Sequence, residues 1–291
     1  MKIYIAGAGN YQDALRMIGL FKGVDLFSSY HDCREVKKFT DMRKHKPRSI
    51  VLDSGAHAYF GGSSVQSASP MKLMQQLDSP RDYVTAYAAL THEALPFVDH
   101  FVEFDTVEIH GTKFQKWQRA LLLEAVRTPD RLMPVYRHSE PRSALYKLLD
   151  GGFTHIGMEG YRNKVFTDRE YLQIVRTCYE KGIKVHVFAS VDNYFLTHVP
   201  VYSSDSSSWS MVYRAGVFNR FNGRGMKGLH RTTIKKNFGT ALGIAQPLAR
   251  AQVATKTVFR YRDLIRTSIE QYEKYAQYLT DLWTARGIVW Q

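Results

Sequence analysis

Val201-Tyr202-Ser203-Ser204-Asp205-Ser206-Ser207-Ser208-Trp209 is a short apolar strand that runs into one carboxylate among hydroxyls and then a tryptophan. A carboxylate at the C-terminal end of a strand, in a chain that alternates strands and helices, stands where (β/α)8 barrels carry their reactive groups. Asp205 is therefore a candidate nucleophile. Ser204, Ser206 and Ser207 are candidate hydrogen-bond partners for its ionised form. The same residues also suit a turn that caps the next helix, since Asp and Ser are favoured at N-caps. What decides between the two is whether other strands end in the same way.

Upstream, Ser49-Ile50-Val51-Leu52-Asp53-Ser54-Gly55-Ala56 reads as a buried parallel strand, a continuous apolar run that stops at a polar turn. Phe97-Val98-Asp99-His100-Phe101-Val102-Glu103-Phe104-Asp105 again reaches an aspartate. Asp53, Asp105 and Asp205 would converge at one end of a closed barrel. Gly157-Met158-Glu159-Gly160, at the end of a strand over 154–158, exposes backbone without bulky side chains and lets a flat ring approach.

Between these stretches the alternation continues. Strands are predicted at 2–5, 24–30, 131–136 and 184–188, and helices at 11–21, 80–95, 112–126, 143–149 and 168–180. With the strand at 201–204 the count approaches eight, so the predicted fold is an α/β (β/α)8 TIM-type barrel over residues 1–212. Residues 213–291 are predicted as a basic loop and C-terminal helices packed on the barrel, with helical spacing from Val258 to Arg286. The opening Gly7-Ala8-Gly9-Asn10-Tyr11-Gln12 lacks the third glycine of a dinucleotide-binding turn and serves a tight strand-to-helix connection instead. Gly61-Gly62-Ser63-Ser64 suggests a mobile loop over the catalytic end, and an ordinary surface turn fits it equally.

In 291 residues, 40 Lys and Arg stand against 27 Asp and Glu, a net charge of +13 that points to a polyanionic partner. The cations gather in two places. Arg34 to Arg48 is one. The other follows Trp209, where Arg214, Arg220, Arg224, Lys227 and Arg231 lie among Tyr213, Phe218, Phe221 and Phe238, a mixture of charge and stackable rings that suits a nucleic-acid strand. No run reaches the ~18 apolar residues of a membrane span and no signal-peptide pattern opens the chain, so no membrane partner and a cytoplasmic location are expected. Two cysteines, Cys33 and Cys178, are too few for a thiolate zinc site.

Taken together, Leu52 to Ala56, Glu103 to Asp105, Ile156 to Gly160 and Tyr202 to Trp209 resemble the tRNA-guanine transglycosylase superfamily. The likeness covers roughly residues 49 to 210 and is nearest to the phage and bacterial DNA-guanine transglycosylases, which insert 7-deazaguanine bases into DNA. The resemblance implies a barrel in which Asp53 is general acid/base and Ser54 and Gly55 beside it bind substrate. Asp105 would hydrogen-bond the purine-like ring, Gly157, Glu159 and Gly160 would face the base, and Asp205 would be the nucleophile. DNA and a free 7-deazaguanine base would be the partners, with no cofactor. Two departures stand out. The tRNA enzymes hold zinc with three cysteines and a histidine near the C-terminus, which this chain cannot do, so no metal is expected. Their late motif is Asp-x-x-Asp with the second aspartate as nucleophile, and here that position is Ser208.

Base exchange at C1′ proceeds through an oxocarbenium-like transition state, so one carboxylate attacks while a second, differently poised, protonates the leaving base. A base in duplex must be flipped out, with Tyr59, Phe60 or Trp209 as rings to fill or line the site. A barrel glycoside hydrolase and a non-enzymatic nucleic-acid-binding protein are the alternatives that the residues leave open.

Overall fold

The structure is a computed structural model that describes residues 1–7, 22–59, 79–161, 165–211, 217–230 and 259–291. Nine parallel strands form one sheet: β1 (Lys2–Ala6), β2 (Asp25–Ser29), β3 (Ser49–Asp53), β4 (His100–Val102), β5 (Leu132–Met133), β6 (Val135–Tyr136), β7 (His155–Met158), β8 (Lys184–Val187) and β9 (Ser203–Ser206). Their spatial order runs β5-β4-β3-β2-β1-β9-β8-β7-β6. β5 and β6 are the two halves of one stave, split only by Pro134, so the sheet closes on itself. Glu103 N donates to Met133 O at 3.1 Å on one side, and Gly157 N donates to Pro134 O at 2.8 Å on the other. Counting β5 and β6 together leaves eight staves, the predicted (β/α)8 barrel.

Alternation along each strand separates two cores. Ile3, Ile5, Leu26, Ile50 and Leu52 point outward to the helices, whereas Tyr4, Ala6, Phe27, Val51, Val102, Met133 and Val135 fill the lumen with Phe188. Both faces are buried, which is why these strands read as continuous apolar runs. The outer layer is α1 (Val36–Lys44), the short α2 (Ala56–Tyr59), α3 (Pro80–Ala94), α4 (Val107–Val126), α5 (Arg142–Leu149), α6 (Asp168–Glu180), α7 (Asn193–His198) and α8 (Phe259–Ala285). The predicted helix at 112–126 is α4 beyond its kink. Gly111, at φ 75°, breaks the helix and leaves Val107–His110 as a separate turn at the mouth.

One expectation about the C-terminal part changes. Residues 217–230 are an antiparallel hairpin, β10 (Val217–Phe221) with β11 (Met226–His230), where a basic loop was predicted. α8 packs against β1, and the terminal amine of Met1 donates to Thr280 Oγ1 at 2.7 Å, so this helix takes the place of the barrel's eighth. No helix among the described residues is long and apolar enough to cross a membrane. The predicted helix at 11–21, the loop at 61–64, Phe60, Arg214 and Arg231 lie outside the described residues.

Candidate active site at the C-terminal mouth of the barrel

Register decides which strand-end groups reach the lumen. Residues paired across parallel strands share a face. Asp205 pairs with Tyr4, and Asp53 lies two residues beyond Val51, so both carboxylates point inward at the C-terminal mouth. Asp205 sits inside β9 rather than just past it, one turn of the pleat later than the predicted strand end.

Asp53 is half-buried, and Gly55 N donates to its Oδ2 at 3.1 Å. Burial pushes this carboxyl up to about 7, and the negative charges of Asp205 and Asp105 push in the same direction against the Gly55 hydrogen bond. Ser54 and Gly55 form the turn that follows this carboxyl. Ser54 is buried and its Oγ donates to Glu103 O at 3.0 Å. Gly55 has φ 78°, and a Cβ there would stand 2.8 Å from Tyr83 Oη, so only glycine fits the turn.

Asp205 is buried; its Oδ1 accepts from Ala189 N at 2.7 Å and lies 3.3 Å from His186 Nε2. Among the described residues Oδ2 accepts no hydrogen bond. Ser204 and Ser206 do not hold it, contrary to expectation, because their hydroxyls are engaged elsewhere. Ser204 Oγ lies 2.7 Å from the carbonyls of Val187 and Ser190, and Ser206 Oγ accepts from Ser208 N at 3.1 Å. Ser208 stands in the turn after β9, its carbonyl bound by Asn219 Nδ2 at 2.8 Å. Asp205 is thus the lumen-facing carboxylate of this stretch.

Asp105 is engaged by a residue that sequence reasoning passed over. Arg137, just beyond β6, donates through Nε to Asp105 Oδ1 at 2.6 Å and through Nη1 to Glu108 and Glu159, each at 3.0 Å. Burial pushes Asp105 up to about 6 while Arg137 pulls it down, so the pair is ionised at neutral pH. Glu159 also accepts from His138 N at 2.9 Å and meets its Nδ1 at 2.8 Å, and therefore fixes Arg137 and His138. Glu108, His138 and Glu159 could offer ligand atoms within 4.8 Å of one another, yet the Arg137 guanidinium already bridges the two carboxylates. The cation at a strand end, Tyr136-Arg137-His138, is the signal that would have found it.

The glycine turn receives a protein ring where an open approach was expected. A Cβ on Gly157 would stand 2.7 Å from the Phe188 ring, and one on Gly160 would stand 2.5 Å from Phe188 O. Trp209 is fully buried with Nε1 donating to Ala6 O at 2.7 Å, and Tyr59 is buried against Tyr83 and Phe104, so neither ring is available to stack on a base. Cys33 and Cys178 are buried, their thiols pushed up to about 12, and take no part.

The cations divide as well. Arg43 binds Phe97 O and Asp99, and Arg48 binds Asp25 and Glu273, so much of the basic run at 34–48 serves as internal glue. The hairpin is different. Asn193 at the start of α7 holds Met226 through N at 2.7 Å and O at 2.8 Å, which seats the hairpin beside the barrel mouth. Arg224 and Lys227 are exposed there, and Arg220 faces Lys227 across the ladder.

Fold and site together define a (β/α)8 barrel with two unlike carboxyl groups at its C-terminal mouth. No protein-family model matches the chain, and no curated protein sequence does. Among solved structures it is similar to the carboxyl transferase domain of Rhizobium etli pyruvate carboxylase with 3-hydroxypyruvate, at 12% identity and a TM-score of 0.44 over 91% of this chain and 43% of that one. The chain thus spans less than half of that protein's length. It is also similar to a mutant tryptophan synthase alpha-subunit from Pyrococcus furiosus, at 12% identity and a TM-score of 0.43 over 84% and 98% of the two chains. These likenesses concern the fold alone.

Proposed function

We propose that the protein is a transglycosylase that exchanges guanine in DNA for a free 7-deazaguanine base. The observation that carries this reading is the unlike pair at the mouth. Asp53 is pushed up to about 7 and can hold or release a proton near neutrality, while Asp205 presents an oxygen that takes no hydrogen bond from the described residues. Asp205 Oδ2 attacks C1′ of the flipped nucleotide, the bond from C1′ to the guanine nitrogen breaks, and Asp53 delivers a proton to the leaving base. The incoming base then gives its ring N–H proton to Asp53 and displaces Asp205, so two displacements retain configuration. The acid-rich mouth favours the positive charge that develops on the sugar, and the exposed hairpin cations stand beside it to meet phosphates.

DNA is favoured over tRNA by the resemblance at residues 49–210 alone. Duplex DNA and tRNA carrying labelled guanine are incubated separately with the protein and 7-deazaguanine bases. Release from DNA is expected, together with a covalent adduct that Asp205→Asn abolishes while DNA binding survives. Release from tRNA alone overturns the DNA assignment, and release from neither overturns the transferase.

A further inference from the structure

His186 on β8 lies within the barrel lumen, with none of its surface exposed. Its ring stacks on Phe27 at 5.2 Å and 6° and meets Phe188 and Tyr4 edge-on at 4.9 and 5.8 Å. Apolar packing at this point needs no nitrogen, and burying a polar ring is costly unless both nitrogens are satisfied. Both are. Nδ1 lies 2.9 Å from Ser203 Oγ and Nε2 lies 3.3 Å from Asp205 Oδ1. Ser203 is itself buried at 1% exposure, so the Ser-His-Asp sequence of contacts is not a serine-nucleophile triad, because no substrate reaches the hydroxyl.

We propose that His186 is a positioning residue for Asp205, a reading that rests on the transglycosylase assignment. An ionised carboxylate offers only lone pairs, so a neutral imidazole facing it must carry its hydrogen on Nε2 and accept the Ser203 hydroxyl hydrogen on Nδ1. Two donors, His186 Nε2 and Ala189 N, then fix Oδ1 and turn Oδ2 toward the substrate. In the covalent intermediate, where Oδ2 is bonded to C1′, Oδ1 is the ester carbonyl oxygen. When the incoming base displaces the ester, the electron pair of the breaking bond returns to the carboxylate and the same two donors stabilise it. His186 therefore acts most strongly on breakdown of the intermediate. Phe27 and Phe188 hold the ring plane, and Gly157 makes room for Phe188.

The test compares His186→Phe, which keeps an aromatic ring without either nitrogen, with His186→Gln, which restores a donor toward Oδ1. For His186→Phe, kcat is expected to fall roughly 100-fold with kcat/KM for DNA nearly unchanged, so that KM for DNA falls alongside kcat while a larger fraction of enzyme carries the covalent adduct. Partial recovery in His186→Gln is the supporting result. Turnover of His186→Phe within about twofold of the original protein, or equal loss in both variants with the fold retained by circular dichroism, overturns the proposal. Nitrogen-15 NMR of the unsubstituted protein separates the two readings. If no guanine is exchanged, the transglycosylase assignment fails, and the tautomer alone decides on His186. A hydrogen on Nε2 that is perturbed by Asp205→Asn supports positioning, and a hydrogen on Nδ1 overturns it.

Discussion

At Asp53, burial and the neighbouring Asp205 and Asp105 carboxylates favour the protonated form up to about pH 7, whereas an unfolded chain releases that proton near 3.8. Between those values the folded protein binds more protons than the unfolded one, so this group's contribution to stability falls as pH rises and stays lost above 7. At about 1.4 kcal/mol per tenfold in proton affinity the full cost is at most about 4 kcal/mol, reduced because the side chain keeps some contact with water. Asp53→Asn is therefore expected to be more stable than the original protein at pH 8 and equal to it near pH 4. Urea unfolding across that range checks it, and a pH-independent difference would remove Asp53 as the proton-holding group. Asp53 and Asp205 were legible in the sequence as carboxylates at strand ends because each lies just beyond apolar strand residues, a pattern that a helix cap shares, so that only their recurrence on several strands singled them out. His186 and Arg137 were not, because a lone histidine in Lys184-Val185-His186-Val187 reads as an ordinary strand residue, and only the closing of the barrel brings it to Asp205.

The hairpin of β10 and β11 escaped a reading by composition, since Gly223, Gly225 and Gly228 signal a loop while strand pairing is a matter of register. Two of these glycines have specific work. Gly223 adopts φ 92° in the turn, and Gly225 lies where a Cβ would meet the Asn193 side chain at 2.6 Å, so the turn docks against α7. In the ladder Arg220 faces Lys227, and Arg224 and Lys227 are exposed at the turn, where they can meet phosphates. Each of Arg224→Glu and Lys227→Glu is expected to weaken duplex DNA binding to a similar degree whatever the sequence, and to lower the slope of log affinity against log salt by about one. Binding measured from low to moderate salt tests this. An unchanged slope in both variants would mean that the phosphates are met elsewhere on the chain.

Closure of the barrel and the placement of its last helix are properties of the whole molecule, which a change of composition along the chain does not reveal. The change of composition after Trp209 is real. Among the described residues it falls between the last stave and the helix that packs against the first. α8 buries Ile265, Ile269, Tyr272, Tyr275 and Leu279, and is tied to distant parts of the chain by Glu273 to Arg48 at 2.8 Å and by Trp283 Nε1 to Leu196 O at 3.0 Å. At about 2 kcal/mol for each large apolar side chain removed from water, these five contribute on the order of 10 kcal/mol. A fragment ending at residue 212 is therefore expected to leave β1 uncovered and to show no cooperative unfolding transition, whereas an independent barrel core would unfold with the midpoint of the full chain. The graded version of the same test is Leu279→Ala, which should cost about 2–5 kcal/mol because the site is fully buried. If Leu279→Ala lowers the stability of the whole chain in one transition, seen equally by circular dichroism and by tryptophan fluorescence, the helix and the barrel form one cooperative unit. Two separated transitions would show instead that residues 213–291 fold on their own account.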